Sequence, residues 1–272
     1  MAVRLLIVLL VLAPPAMASA QSAQSSTGQP VAVHALTLQR VVVEVPEPQR
    51  LKVALLATPP SGGASRAFSR GRLLLAGQDI PLVSPGVATD QPGNTVVHLE
   101  VDLAALPESV LSLPVSALTV RWEGVTDGGR TVVTVAGTLD PANRSQLTLA
   151  RDDLYALYAR LDNPSVTPEG ANLVFRGLAS ILNPFSFDVV AKGLDYRVLV
   201  GGEEVMSGRR PGFRLRGGQR SDVLLEAEVS LASAAVAAAA VLRGAAVEVM
   251  GQLHLATPDG DRLVPIVLRS RR

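Results

Sequence analysis

The side chains best suited to metal binding are three histidines, which stand far apart in the sequence. They are His34, His98 and His254, and the last two lie in segments with the composition of β-strands. A zinc site needs several ligands at short, defined spacings, and these histidines show none. The absence of cysteine excludes disulfides, thiol catalysis and cysteine-bound metals. We therefore predict no metal site and no cofactor.

Two groups of carboxylates are the remaining candidates for catalysis or cation binding. Asp152 and Asp153 stand in the first turn of a predicted helix, where acids ordinarily complement the helix dipole. Asp259-Gly260-Asp261 resembles a fragment of a calcium loop, but the further ligands are missing and a hairpin turn is predicted there. A nucleophile elbow and a phosphate-binding glycine loop are also absent. We predict a protein that is not an enzyme.

The most basic stretch of the chain could bind an anionic lipid or polysaccharide. We call it the arginine segment, and its members are Arg209, Arg210, Arg214, Arg216 and Arg220. The alternative is an exposed edge strand, whose charges prevent pairing with other sheets. The formal net charge is only +1, which gives no reason to expect a nucleic-acid partner.

The N-terminal residues have the organisation of a signal peptide. Arg4 precedes an apolar run over residues 5–13, and Ala18-Ser19-Ala20 forms a small-residue cleavage site. The run is shorter than the about 20 residues that a membrane-spanning helix needs, and no later stretch is a better candidate. We predict a signal peptide over residues 1–20 and a disordered lead-in over 21–30. The chain is then periplasmic or secreted, and not a transmembrane protein.

The elements that follow are mainly short strands separated by glycine, proline and aspartate. Hydrophobic residues make up 48% of the chain but aromatic residues only 3%, so valine, leucine and alanine must fill the core. This pattern is typical of an all-β sandwich or barrel. The predicted strands are residues 36–45, 50–57, 72–76, 95–101, 117–122, 131–138, 171–182, 196–200, 222–229, 246–254 and 262–268.

An internal repeat divides these strands into two sets. Residues 72–80 resemble residues 197–205, because in each a strand enters a glycine-containing turn and then resumes. Matched segments continue in the same order, as 84–87 with 210–213, the glycine-bearing turns 91–94 with 217–219, 95–101 with 221–227, the helix-prone 103–111 with 231–242, and the hairpin turns 126–129 with 257–260. The repeat predicts two tandem β-sandwich domains, over residues 31–145 and 146–272.

Residues 148–162, between the two sets, fit two structures. Leu154, Leu157, Tyr158 and Leu161 have helical spacing, and the Asn-Pro pair that follows would end a helix. The same residues could form the first strand of the second domain. The helical spacing favours a linker helix.

A segment of the second half resembles a known family. A strand ending in Asn-Pro, an aromatic stretch, Gly-Leu-Asp-Tyr and a hairpin ending in glycine together resemble the WHy (water stress and hypersensitive response) domain of type 2 late-embryogenesis-abundant (LEA) proteins. The residues that carry the resemblance, here called the motif residues, are Asn183, Pro184, Phe185, Phe187, Gly193, Leu194, Asp195, Tyr196 and Gly208. The match covers residues 170–272. The first half lacks the Asn-Pro pair, and Thr58-Pro59-Pro60 stands about where it would be.

The resemblance and the residue types together give definite expectations. The resemblance implies immunoglobulin- or fibronectin-III-like sandwiches and a role in tolerance of desiccation or freezing, without catalysis. Phe185 and Phe187 are predicted to share one strand face, and Tyr196 to enter the core with its hydroxyl at the rim. Partners would be unfolding client proteins or a membrane surface. The alternative is a tandem binding module for an anionic envelope ligand, and the oligomeric state stays open.

Overall fold

The computed structural model describes residues 32–59, 65–113, 117–140, 143, 145–149, 157–169, 172–230, 245–258 and 260–270. They belong to two compact units, one ending at Arg151 and the other beginning at Asp152, which we call the first and second domains. The predicted signal peptide and lead-in lie outside the described residues. None of the helices in the described ranges has the length and apolar content that a membrane crossing requires.

The described part of the first domain consists of strands and three short 3-10 helices. The strands are β1 (Ala32–Glu47), β2 (Arg50–Thr58), β3 (Arg66–Ala67), β4 (Arg70–Leu75), β5 (Gln78–Ile80), β6 (Val87–Gln91), β7 (Asn94–Asp102), β8 (Leu118–Val125), β9 (Thr131–Leu139) and β10 (Leu147–Leu149). The 3-10 helices are Leu103–Ala105, Glu108–Ser112 and Asp127–Gly129. The helix-prone stretch at 103–111 therefore forms 3-10 helices, which bury Leu103, Val110 and Leu111.

Strand β1 belongs to both layers of this sandwich. Its first part, residues 32–37, runs parallel to β9, and its later part pairs with β2 and β10. Leu36 and Leu38 are buried, and then Val41 and Val43. The buried positions thus change from even to odd residue numbers, at a register shift around Gln39. A bulge of this kind keeps the apolar side chains facing the core while the strand bends. One layer therefore has the order β3-β6-β7-β2-β1-β10, and the other β1-β9-β8-β4-β5.

A single tryptophan forms the centre of the first core. Trp122 is fully buried, and its ring meets Phe68 edge to face with 4.9 Å between the ring centroids. Gly124 makes room for it, because a Cβ atom at that position would lie 2.3 Å from the indole ring. Most of the remaining buried side chains are valine, leucine and alanine, as the composition predicts.

The described part of the second domain has seven strands in two sheets. They are β11 (Ala159–Glu169), β12 (Asn172–Leu182), β13 (Val189–Val200), β14 (Glu203–Leu215), β15 (Arg220–Ser230), β16 (Val247–Thr257) and β17 (Gly260–Arg269). One sheet has the order β11-β12-β15, and the other β14-β13-β16-β17. Phe175, Leu194 and Leu225, from both sheets, are fully buried between them.

Both domains use the same strand connectivity. When β3, β6 and β10 of the first domain are left out, seven strands remain in each domain, and in chain order the first, second and fifth form one sheet (β1-β2-β7, and β11-β12-β15). The fourth, third, sixth and seventh form the other (β5-β4-β8-β9, and β14-β13-β16-β17). Such a three-plus-four arrangement is an immunoglobulin/fibronectin-III-like sandwich. The predicted fold class, all-β with two tandem sandwiches, is confirmed.

The linker-helix prediction is wrong from Ala159 onward. Leu157 and Tyr158 are helical, but β11 begins at Ala159 and continues through the Asn163-Pro164 pair that was expected to end a helix. Asn163 has a positive φ of 50° at a register shift between Asp162 and Ser165. A bulge tolerates both this conformation and a proline without an N–H donor. Residues 151–156, including Asp152 and Asp153, lie outside the described residues, as do 231–244 and Asp259.

Candidate functional site

The side chain of Asn183 holds the loop between β12 and β13 in place. Its Nδ2 donates to the carbonyl oxygens of Phe187 (2.8 Å) and Leu215 (3.2 Å), and its Oδ1 accepts from the N–H of Phe185 (3.1 Å). Asn183 is 3% exposed, so its amide must find partners inside the protein. These bonds attach the loop to the end of β14.

Phe185 and Phe187 do not share a strand face, as the sequence predicted, because residues 183–188 form no strand. Pro184 offers no N–H donor for a ladder, and the Asn183 side chain takes its place as a hydrogen-bonding group. The two rings stack at 5.0 Å between centroids, with 9° between their planes. Phe185 is buried, and the half-buried Phe187 covers it.

The turn between β14 and β15 packs closely against this loop. Gly218 N–H donates to the Phe185 carbonyl at 2.6 Å, and Gly217 N–H donates to Asp188 Oδ1 at 2.9 Å. A Cβ atom at Gly217 would lie 2.2 Å from the Ser186 carbonyl oxygen. The sequence pattern identified the two glycines only as a turn, because their contact with the loop is made across the fold.

Tyr196 connects the two sheets of the second domain. In β13 it lies in register with Gly208 of β14 and Gly251 of β16, and a Cβ atom at Gly208 would lie 2.5 Å from the tyrosine ring. The hydroxyl donates to the Glu226 carbonyl oxygen of β15, in the opposite sheet. Burial raises the pKa of Tyr196. The hydroxyl therefore ends on the backbone of the facing sheet.

The remaining motif residues divide between core and surface. Leu194 is fully buried, and Gly193 is buried where a Cβ atom would lie 3.1 Å from the Arg210 carbonyl oxygen. The carboxylate of Asp195 is half exposed, with Oδ2 2.8 Å from His254 Nε2 and Oδ1 3.4 Å from Arg209 Nε. Asp195 is thus the motif residue that forms a surface ion pair, with Arg209.

The five residues of the arginine segment have different surroundings. Arg209, Arg210 and Arg214 lie in β14, an edge strand of its sheet, whereas Arg216 is exposed in the turn and Arg220 begins β15. Arg209 forms an ion pair with Asp195, and Arg214 forms one with Asp188, each at 3.4 Å. Arg220 donates hydrogen bonds to the carbonyl oxygens of Leu157 (2.9 Å) and Ser180 (3.3 Å). Arg210 is half-buried opposite the core residue Leu194, and such inward charges protect sheet edges.

The histidines are distributed over different elements. His34 lies in β1, His98 in β7 and His254 in β16. Within the described ranges, no group of three or more histidine, aspartate or glutamate side chains is placed to hold a metal ion.

Comparison with known proteins gives structural similarities only. No family model and no curated protein matches the chain. A protein from Archaeoglobus fulgidus is similar over 40% of this chain and 94% of its own, with 11% identity and a TM-score of 0.30. A protein from Arabidopsis thaliana, solved in solution, matches 42% of this chain and 78% of its own, at 16% identity and a TM-score of 0.35. A DUF4785 family protein from Legionella pneumophila matches 84% of this chain and 54% of its own, at 12% identity and a TM-score of 0.32.

Proposed function

We propose that the chain is an exported, non-catalytic protein that protects other macromolecules when water is lost, as its resemblance to the WHy/LEA type 2 family implies. The observation that supports the proposal is that the motif residues form the structural contacts of the second domain. Asn183 fastens a loop, Tyr196 joins two sheets, and Gly208 makes room for the tyrosine ring. The part of the second domain that resembles the family is therefore a rigid scaffold.

The surface of the second domain supports the same proposal. Positive and negative side chains lie on the described strands and form ion pairs. Among these are Arg176 with Glu169 and Glu226, Lys192 with Asp261, and Arg269 with Glu248. A surface with charges of both signs interspersed stays hydrated. We propose that such a surface separates unfolding client proteins, or shields membrane surfaces, through weak contacts.

A drying experiment tests the protection directly. A labile enzyme is dried or freeze-thawed with the purified mature chain, and the recovered activity is compared with that obtained using an equal mass of albumin. We expect higher recovery with the chain. A parallel assay of dye leakage from dried vesicles separates client protection from membrane protection. Recovery and leakage no better than with albumin would reject the proposal.

A second candidate function is binding of an anionic envelope lipid or polysaccharide by the arginine segment. Arg216 is exposed, and the pairs made by Arg209 and Arg214 are surface ion pairs, which contribute about 0–1 kcal/mol each. An anionic ligand could therefore replace the surface carboxylates of Asp195 and Asp188 as the partner of these arginines, at little cost in free energy.

The binding candidate is tested by removing charge at two places. Changing Arg209, Arg210, Arg214 and Arg216 to glutamine should abolish binding to anionic vesicles. The matched control changes four exposed arginines of the first domain in the same way, namely Arg70, Arg72, Arg121 and Arg130. Equal loss in both variants would mean that only net charge matters, and unchanged binding in the first would remove the site.

A further inference from the structure

The outer face of the β14-β13-β16-β17 sheet carries a groove of about 610 Å³ that runs across the strands. Two cross-strand rows of side chains form its walls. One row is Ser207, Arg197, Met250 and Val267, and the other is Asp195, Gln252 and Pro265. Between them lies the row Gly208, Tyr196, Gly251 and Ile266. The side chains of Tyr196 and Ile266 are buried, so backbone forms the floor.

The charged side chains of the lining have neighbours outside the groove. Asp195 and Arg197 are opposite charges on one face of β13, and each lies close to a side chain that is not part of the lining. Arg197 Nη1 lies 3.3 Å from Glu204, which is opposite Leu199. Asp195 Oδ2 lies 2.8 Å from His254, which is opposite Gly193. Both contacts therefore lie away from the floor of the groove.

The lining of the groove defines the ligand chemistry. Its volume is within the range of about 300–1,000 Å³ found for small-molecule pockets. Ser207, Arg197 and Gln252 are exposed polar groups that can exchange hydrogen bonds with hydroxyls, and Met250, which is 40% exposed, adds an apolar surface together with Pro265. The charged side chains of the lining are one anion, Asp195, and one cation, Arg197, so the groove has no excess charge that would favour a charged ligand.

We propose that this groove binds a short, neutral oligosaccharide. Sugar hydroxyls both donate and accept hydrogen bonds, and the C–H face of a sugar ring fits the apolar part of the lining. The protective function argued above does not require this binding, and either proposal can fail while the other stands.

The binding test uses the mature chain with maltotriose, cellotriose and chitotriose, followed by ¹H–¹⁵N NMR. The reporters are the assigned amides of Gly208, Gly251 and Gln252 in the floor and wall. We expect at least one sugar to shift these resonances and to saturate them below about 20 mM, as a millimolar Kd requires. The proposal is overturned if no neutral sugar gives a saturable shift there, or if only trigalacturonate, an anionic trimer, does.

Substitutions locate the site. Arg197→Ala and Gln252→Ala should each weaken binding about tenfold, which corresponds to one lost hydrogen bond to a buried ligand group. Arg269→Ala is the matched control, because Arg269 forms a similar exposed ion pair on the same sheet, 3.0 Å from Glu248, outside the groove lining. Two groove variants that bind as the unchanged protein does would overturn the proposal. Should Arg197→Ala unfold, as circular dichroism would show, Gln252→Ala alone decides between these outcomes.

Discussion

At the scale of single residues, the second domain depends on a few side chains that bond to backbone rather than to one another. Asn183 and Tyr196 both bond to main-chain groups, and each has one acceptor distant in sequence, the carbonyl oxygen of Leu215 and that of Glu226. A buried polar group of this kind stabilises modestly when its bonds are made. Its loss is costly, because buried partners are then left without hydrogen bonds.

Asn183→Ala should destabilise the protein by about 2–4 kcal/mol. The change leaves the carbonyl oxygens of Phe187 and Leu215 and the N–H of Phe185 without their partner, and each buried unsatisfied group costs about 1–3 kcal/mol. Urea unfolding followed by circular dichroism measures the loss. The control is Asn94→Ala, because Asn94 Oδ1 has no hydrogen-bond partner in the described part of the chain. Equal losses in the two variants would contradict the role given to Asn183.

Tyr196→Phe should lower the free energy of unfolding by about 1 kcal/mol at neutral pH, because it deletes the hydrogen bond to the Glu226 carbonyl oxygen. It should also change the behaviour of the protein in alkali. Burial raises the pKa of Tyr196 in the folded protein above its ordinary value of 10.0, so the unfolded chain ionises first. The stability that depends on the neutral phenol is complete below about pH 10 and is lost as the pH rises towards the folded pKa.

The alkaline effect is measured by comparing unfolding free energies from about pH 8 to about pH 11. We expect the unchanged protein to lose stability more steeply than Tyr196→Phe above about pH 10. Parallel curves for the two proteins would show that Tyr196 does not contribute to this loss.

At the scale of elements, the 183–188 loop and the β14–β15 turn lie so close together that a side chain at Gly217 would clash with backbone. Gly217→Ala should lower the free energy of unfolding by more than about 2 kcal/mol. Its Cβ would lie 2.2 Å from the backbone oxygen of Ser186, and backbone cannot move aside as a flexible side chain could. Gly93→Ala is a control with open space but a φ of +87°, so it carries only a backbone cost of about 1 kcal/mol. Thermal unfolding of both variants checks the difference, and a loss at Gly217 no greater than at Gly93 would contradict it.

Elements whose apolar residues alternate could be predicted from the sequence, and those shaped by contacts across the fold could not. The predicted strand 95–101 lies within β7, and 222–229 within β15. The first strand of the second domain was the less favoured of two predictions, because Leu154, Leu157 and Leu161 have helical spacing. The bulge at Asn163 forms in the pairing with β12, which the sequence does not show. The groove was also missed, because its lining residues come from four strands that become neighbours only in the sheet.

At the scale of the whole molecule, one strand order serves two very different sets of side chains. The first domain centres on Trp122 and aliphatic residues, whereas the second is built around Phe175, Phe185 and Tyr196. The fourth strand position also differs, since β5 and β6 are separate strands that pair with β4 and β7, where β14 is continuous. Connectivity is thus common to both domains, although the residues that support it are not.

The whole chain is also predicted to be exported, and its N-terminus after synthesis tests this. Cleavage after Ala20 should leave a mature protein beginning at Gln21, because small residues at Ala18 and Ala20 fit the peptidase and the apolar run before them is too short to remain as an anchor. Intact-mass spectrometry of the chain recovered from the periplasm or medium measures the start. Ala20→Arg should leave the uncut precursor with the membrane fraction, whereas Ser19→Ala should be processed normally. Recovery of the unchanged chain in the cytoplasm with residues 1–20 still attached would contradict export, and with it the setting in which the protective function is proposed.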